Sequence, residues 1–158
     1  SLALNLAVHR LEDKKYDLDF VREIIEQAAI VYDSKKSGIL ELGGGVPKNT
    51  AQQTGPLLDQ ILKRNDGGQE YIIQITDARP DTGGLSGATL QEGKSWGKIQ
   101  DSHEGIITVY ADATIAFPIL ALYVLSNQKE REPKRLYKKI DQLYDKLSKD
   151  YFNNPKGG

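Results

Sequence analysis

A lysine and a tryptophan lie two positions apart in the segment Gly-Lys-Ser-Trp-Gly-Lys-Ile, residues 93–99, about ten residues after a glycine-rich stretch. Burial beside an indole such as Trp96 disfavours the charged form of an amine, so Lys98 could act as a nucleophile that forms a Schiff base. The same indole face would attract a cationic amine ligand. Local composition alone favours a second interpretation, in which Trp96 anchors a loop and Lys98 is a solvated charge.

The composition limits the other chemistries that are available. The chain of 158 residues has no cysteine and two histidines, which excludes thiolate metal sites and cysteine nucleophiles and leaves little for zinc. A formal net charge of -1 provides no field that would attract nucleic acid or acidic lipid. The longest apolar stretch, residues 115–125, contains a proline and is too short to span a bilayer. We therefore expect a cytoplasmic protein without a metal, a nucleic-acid partner or a membrane partner.

Helix and strand patterns alternate along the chain. The spacing predicts a helix that follows Asp17 as N-cap and closes at residues 37–38, and a second helical stretch over residues 47–64 that Gly55-Pro56 interrupts. Short apolar runs predict strands at 39–42, 71–75 and 106–110, the last followed by a helix to Leu125. This order is typical of a Rossmann-like, doubly wound α/β fold with a parallel sheet and with ligands at the carboxyl ends of the strands.

Three strands make only half of such a sheet, and the first residues of the chain are apolar without a capping signal. We therefore expect an amino-terminal companion fragment or chain that completes the sheet. Residues 1–128 would form half of such a cofactor-binding domain. Residues 129–158 would form a charged helix and tail, with Pro133 in the first turn of the helix. Its apolar stripe predicts a solvated terminal helix, although its basic residues leave an RNA-facing surface open.

Several candidate site residues have structural alternatives. Glycines 43–45 would let a dinucleotide approach the backbone, but they are as typical of a tight turn. Asp112 could hold a ribose hydroxyl, but we favour a helix N-cap there. Glu92 could accept the ammonium group of a polyamine or be a solvated carboxylate at a helix start. We interpret His9 and His103 as structural or solvent-facing.

Four motifs occur together and in order: Leu-Gly-Gly-Gly-Val-Pro-Lys at 42–48, Gly-Gly-Leu-Ser-Gly-Ala at 83–88, Ser-Trp-Gly-Lys-Ile at 95–99 and Val-Tyr-Ala-Asp-Ala-Thr at 109–114. In order and spacing they resemble the deoxyhypusine synthase family. The likeness runs from residue 1 to about 125 and corresponds to the carboxyl-terminal half of that family's NAD-binding domain.

The resemblance implies an NAD-dependent transfer of a 4-aminobutyl group, carried as an imine on Lys98, and assembly into a homotetramer. It places the NAD contacts and the polyamine pocket on two sets of residues. The NAD contacts are Gly44, Asp77, Ala78, Asp112 and Ala113, and the pocket for spermidine or putrescine is formed by Gly83, Gly84, Glu92, Trp96 and Lys98.

Two departures from the family pattern concern the amine. Deoxyhypusine synthases have Lys-His-His after the glycine turn, where this chain has Lys-Asn-Thr, so Asn49 replaces a histidine of the polyamine site. Leu85 likewise replaces an aspartate. Because each lost group supplied a hydrogen bond to a charged nitrogen, the amine that is held should differ. The stretch around Leu85 resembles the bacterial deoxyhypusine synthase-like branch, for which a small amine acceptor and a product such as homospermidine are expected. True deoxyhypusine synthesis on a protein lysine and a non-catalytic relative that binds NAD or polyamine stay open.

Overall fold

The structure is a computed structural model, and it describes residues 2–12, 19–64, 68–95 and 105–154. Three strands lie within these ranges: Gly38–Leu42 (β1), Tyr71–Thr76 (β2) and Ile106–Tyr110 (β3). The α-helices are Leu2–Leu11 (α1), Phe20–Asp33 (α2), Val46–Gln52 (α3), Thr54–Pro56 (α4), Leu90–Ser95 (α5), Ala113–Asn127 (α6) and Ile140–Asn153 (α7). The segment Leu57–Ile61 is a π-helical turn, and Pro80–Thr82 and Leu136–Lys138 are 3₁₀ turns.

The strands form one parallel sheet in the order β1-β2-β3. Leu40 pairs with Ile73, and Ile73 pairs with Ile107. The three predicted strands are confirmed to within one residue at each end, and the parallel α/β arrangement is that of part of a Rossmann-like fold. The rest of a doubly wound sheet stays a prediction.

The first predicted helix is shorter at both ends than its pattern indicates. The carboxylate of Asp19 accepts a hydrogen bond from the backbone N–H of Arg22 at 2.8 Å, so Asp19 is the N-cap of α2. The predicted N-cap, Asp17, lies outside the described residues and is not needed for this role. The helix ends at Asp33 and not at residues 37–38, because Gly38 is already the first residue of β1.

The second helical stretch is interrupted, but slightly before the predicted Gly55-Pro56. Helix α3 ends at Gln52, whereas Gly55 and Pro56 lie in the short helix α4, and Pro56, which has no N–H to donate, precedes the π-helical turn. In that turn the N–H of Leu62 bonds the carbonyl of Leu57 at 2.8 Å. Lys63 then adopts a φ of 55°, which ends the helical segment.

The two faces of the sheet differ in what covers them. Because side chains alternate along a strand, Glu41, Ile72 and Ile106 share one face. Gln52 of α3 bonds Glu41, and Leu90 of α5 packs with the two isoleucines, so this is the covered face. The opposite face is covered less completely: Ile75 is buried there and α6 contacts β2. We call it the bare face because it also carries apolar side chains that are more than a third exposed: Leu40, Leu42, Tyr71, Ile107 and Val109.

A second core lies between α2, the π-helical turn and α7. It consists of six buried residues: Ala28, Ala29, Val31, Leu58, Leu143 and Leu147. Three ion pairs join the same elements, Arg22 to Asp141, Lys146 to Asp33 and Arg64 to Asp150. The predicted stripe of α7 is therefore confirmed at its two central leucines, which pack on α2 and do not face water.

The predicted start of the terminal helix is wrong. Residues 128–135 are not helical, Pro133 lies outside any helix, and α7 begins only at Ile140. Two backbone features explain the difference. A residue before proline is disfavoured in the helical region, and Arg135 adopts a left-handed φ of 47°.

Helix α6 follows β3 and is more apolar than α7, but less of it is buried. Its sequence, Ala-Thr-Ile-Ala-Phe-Pro-Ile-Leu-Ala-Leu-Tyr-Val-Leu-Ser-Asn, is apolar on all sides, yet none of its residues is buried. Ile115, Ile119, Leu122, Tyr123 and Leu125 are each about two thirds exposed. Among the described residues, no helix combines the length and apolar character needed to cross a bilayer.

Candidate functional site at the carboxyl edge of the sheet

Three loops meet where the parallel strands end. The glycine turn, residues 43–45, follows β1; residues 77–89 follow β2; and residues 111–112 follow β3. The backbone extends the ladder into these loops, since Gly43 N–H bonds the Ile75 carbonyl at 2.7 Å and Ala111 N–H bonds the Thr76 carbonyl at 3.1 Å. Ligands of parallel α/β sheets bind at this edge.

The glycine turn requires its glycines for two physical reasons. Gly43 and Gly45 have φ values of 78° and 87°, which side chains other than glycine rarely adopt. A Cβ on Gly44 would lie 2.7 Å from the Cα of Ser86. The close approach that this position permits is therefore to the backbone of the second loop.

The loop after β2 also contains glycines in the left-handed region. Gly83 and Gly84 have φ values of 74° and 83°, are exposed, and leave open space on the side where a Cβ would point. Gly87 is required for packing, because its Cβ would lie 2.6 Å from the Arg79 carbonyl. This backbone is therefore folded tightly at one end and open to a ligand at the other.

Two buried side chains connect these loops. The Gln74 amide on β2 donates to the carbonyls of Gly43 and Ser86, both at 3.1 Å. The Lys48 ammonium, on α3, donates to the Ala88 carbonyl at 2.7 Å. Both residues are less than a tenth exposed.

A cavity of about 620 Å³ opens between the ends of β2 and β3. Its lining contains two carboxylates, a guanidinium and a phenol: Asp77, Arg79, Pro80, Asp81, Tyr110 and Ala111. A guanidinium suits a phosphate, and a carboxylate at a strand end suits a ribose hydroxyl. Of the predicted cofactor residues, Asp77 lines this cavity, and Ala78 follows it with its N–H bonded to the Thr76 hydroxyl at 3.1 Å.

The structure does not bring Gly44 into the same cavity. Gly44 lines a second cavity of about 240 Å³ beside β1, together with Glu41 and Lys48. Glu41 is 4% exposed, accepts one bond from Gln52 at 2.5 Å, and its Oε2 has no hydrogen-bond donor among the described residues. Burial raises the pKa of this carboxyl, against the opposing effects of the Gln52 bond and the Lys48 charge.

Asp112 caps α6. Its carboxylate accepts bonds from the N–H and the hydroxyl of Thr114, both at 2.7 Å, and these bonds lower its pKa. The N-cap interpretation that the sequence favours is confirmed. Ala113 is the first residue of the helix, and a ribose contact by either residue stays a prediction.

The predicted polyamine residues are only partly described. Gly83 and Gly84 lie in the open part of the second loop, and Glu92 is exposed in the first turn of α5, where its N–H bonds the Thr89 hydroxyl at 3.2 Å. Trp96 and Lys98 lie outside the described residues. The last described residue before them is Ser95, whose hydroxyl bonds the Glu92 carbonyl at 2.8 Å.

A sequence model of the family described as deoxyhypusine synthase matches residues 1–124. The chain belongs to the deoxyhypusine synthase family. A deoxyhypusine synthase-like protein of Nostoc sp. is 45% identical over 156 residues, which cover 96% of this chain and 41% of the relative. A probable deoxyhypusine synthase 2 of Methanosarcina acetivorans is 41% identical over 121 residues, 77% of this chain and 34% of the relative. A probable deoxyhypusine synthase 2 of Archaeoglobus fulgidus is 41% identical over 127 residues, which cover 78% of this chain and 41% of the relative.

The chain thus spans about two fifths of the length of the deoxyhypusine synthase-like protein of Nostoc. The matched share of this chain is larger for that protein than for the two archaeal relatives. The family match includes all three loops and both cavities.

Sequence reasoning missed several residues of this edge. Arg79 and Tyr110 line the larger cavity, and Gln74 joins two loops. A signal existed for Gln74, because a glutamine inside the run Tyr-Ile-Ile-Gln-Ile is out of place in a strand of a parallel sheet. No comparable signal marked Arg79, whose role depends on where the loop turns.

Proposed function

We propose that this protein is an NAD-dependent 4-aminobutyl transferase that acts on polyamines through an imine on Lys98 and uses a small amine as acceptor. The observation that carries the proposal is the contact between the glycine turn and the 83–88 loop, which the family resemblance assigns to cofactor and amine respectively. They meet through Gly44 and Ser86, in a chain of the deoxyhypusine synthase family.

The larger cavity fits part of a dinucleotide. Arg79 can hold a phosphate, Asp77 can hold a ribose hydroxyl, and the volume of about 620 Å³ lies within the range of cofactor sites. When bound, NAD supplies reversible hydride acceptance. Gly44, Ala78, Asp112 and Ala113 are proposed to contact it from the neighbouring loops, with Asp112 also fixing the start of α6.

The remaining chemistry belongs to the chain's own residues. Oxidation of the donor amine gives an imine, and attack of the neutral Lys98 amine on its carbon releases the rest of the donor as a free amine. The aminobutyl group is then held on Lys98 until the acceptor amine attacks the same carbon and regenerates the lysine. The new imine would finally be reduced to an amine by the hydride that the donor amine gave up, so the oxidation and the reduction balance. Trp96 is proposed to face the alkyl stem and cation of the substrate, and Glu92 to accept its ammonium.

The acceptor follows from two substitutions. Asn49 and Leu85 stand where the family has a histidine and an aspartate, and Leu85 is about half exposed beside Gly84. A pocket with fewer polar anchors relies more on Glu92 and suits a small diamine. We therefore propose putrescine, alone or with spermidine, as substrate and homospermidine as product. A cytoplasmic location stays a prediction of the sequence.

We further propose that an amino-terminal companion fragment or chain completes the sheet and the site, and that the assembled protein forms homotetramers. Two observations support the companion. The bare face and α6 expose apolar side chains that a doubly wound sheet covers. The Nostoc relative is also more than twice as long as the matched region.

An amine-product analysis tests the function. The protein is isolated from its own host through an affinity tag, so that any companion is retained, and is incubated with NAD and labelled putrescine or spermidine. The proposal expects labelled homospermidine without a protein acceptor. Glu92→Gln should raise the KM for the amine, whereas Glu23→Gln, an exposed carboxylate of α2, should not.

Two results would replace this proposal. Label found only on a protein lysine would establish true deoxyhypusine synthesis. Binding of NAD or polyamine without any product would establish a non-catalytic sensor or scaffold, which the losses at Asn49 and Leu85 favour.

A further inference from the structure

The Gln74 side chain, on β2, is buried and bonds the backbone of two loops. It is 2% exposed, and its amide nitrogen donates one hydrogen bond to the Gly43 carbonyl and one to the Ser86 carbonyl, each at 3.1 Å. A glutamine amide has two N–H donors, so both are used on these two loops. The two acceptors lie 43 positions apart in the chain, and a single planar group fixes their separation.

Two further contacts hold the same loops together. Gly44 packs against Ser86 so closely that a methyl group would not fit between them. The Lys48 ammonium bonds the Ala88 carbonyl at 2.7 Å from the first turn of α3. The segment 86–88 is therefore tied to the glycine turn and to the start of α3, and a displacement of one is transmitted to the other.

We propose that Gln74 is a positioning residue that couples the glycine turn to the 83–88 loop, so that a ligand bound at one loop changes affinity at the other. The assignment of NAD and amine to these loops rests on the proposed function. The coupling itself rests only on hydrogen bonds and burial. In this proposal Gln74 acts through the backbone carbonyls of Gly43 and Ser86, to which its amide donates.

The competing interpretation is that Gln74 is a buried polar group that affects stability alone. Gln69 provides the matched control, because it is equally buried at 3% and its amide bonds the Thr54 hydroxyl at the opposite end of β2. Methionine nearly keeps the volume of glutamine but donates no hydrogen bond. Gln74→Met therefore removes a buried donor within β2, and Gln69→Met removes one just before its first residue.

The first experiment is hydrogen exchange on the ligand-free protein, isolated with any companion it retains. Gln74→Met should accelerate amide exchange in both loops, residues 43–46 and 83–88, by roughly tenfold, since two hydrogen bonds are lost. Gln69→Met should leave both loops at the parent rate. Unchanged loops in Gln74→Met, or equal acceleration in both variants, would overturn the coupling.

A second variant keeps the proposal testable if Gln74→Met does not fold. Gly44→Ala adds a methyl group to the glycine turn that must displace Ser86. It should accelerate exchange at residues 83–88, on the loop that carries no substitution. Acceleration confined to residues 43–46 would contradict a mechanical connection.

The functional consequence is measured by calorimetry with NAD and spermidine as probes. In the parent, saturating NAD should change the spermidine Kd, so the ratio of the Kd values without and with NAD should differ from one. In Gln74→Met this ratio should move toward one, whereas Gln69→Met should keep the ratio of the parent. A ratio that Gln74→Met leaves unchanged would overturn the coupling. If neither probe binds the parent, the proposed function fails, and the hydrogen-exchange result still decides whether Gln74 couples the loops.

Discussion

Helices α6 and α7 have similar lengths but differ in how much of their apolar surface is buried. Helix α7 is rich in charge, yet Leu143 and Leu147 are buried against α2. Two ion pairs also join α7 to α2, and a third joins it to Arg64. Helix α6 is the more apolar of the two, and none of its residues is buried. The burial of a helix's apolar side chains in this chain therefore depends on the element that packs against the helix, and not on how apolar the helix is. The chain buries one face of α7 against α2, whereas α6 contacts β2 and leaves most of its apolar side chains exposed.

The largest expected effect concerns the bare face and α6. The 158-residue chain on its own should associate, because apolar side chains of α6 and the edges of the sheet are exposed together. The double variant Ile119→Lys, Leu122→Lys should suppress this association, since both positions are about two thirds exposed. Light scattering measures the mass of each. A parent chain that is a cooperative monomer would break the comparison.

The next effect compares one leucine from each helix, in the double-lysine background. Leu147→Ala should lower the free energy of unfolding by about 2–5 kcal/mol, the range for a leucine removed from a core. Leu125→Ala, at a position of α6 that is about two thirds exposed, should change it by less than about 0.5 kcal/mol. Denaturant unfolding gives both values. Equal losses would mean that Leu125 is buried as deeply as Leu147.

A smaller effect distinguishes the ion pairs of α7. The Arg64 guanidinium is 6% exposed, with its Nε 2.6 Å from the Asp150 carboxylate, and it also donates to the Asp150 and Asn154 carbonyls. Asp150→Asn should lower the free energy of unfolding by about 1–3 kcal/mol, because it leaves a buried cation without its counter-charge. Asp141→Asn removes a partner that is 82% exposed and should have no measurable effect. Similar losses of unfolding free energy in the two variants would show that the contribution of these ion pairs to stability does not depend on their burial.

The smallest effect concerns Glu41 on the covered face. Burial raises the pKa of this carboxyl above its ordinary value of 4.5, so its ionisation opposes folding. The parent should lose stability as the pH rises from the ordinary value through the raised pKa, and this loss should be complete above it. Glu41→Gln retains the oxygen that accepts the Gln52 bond and should lack this loss. Unfolding curves measured from pH 4 to pH 8 check the sign, and a parallel pH dependence in both proteins would contradict it.

The sequence predicts the sheet well and its connections less well. The strands at 39–42, 71–75 and 106–110 are marked by apolar runs next to glycine or Asp-Ala, which are local signals. The N-cap at Asp19 and the late start of α7 depend on single backbone conformations, such as the positive φ of Arg135, that residue types mark weakly. The contacts of Gln74 join residues 31 and 12 positions away, and no local pattern contains them.

Trapping the proposed imine tests the central claim most directly. The protein, isolated with any companion, is incubated with NAD and spermidine and treated with borohydride, and its peptides are analysed by mass spectrometry. We predict a stable aminobutyl adduct on Lys98, and loss of turnover in Lys98→Ala and in Lys98→Arg, since an arginine side chain stays protonated. An adduct on another residue, or undiminished turnover in Lys98→Ala, would contradict it.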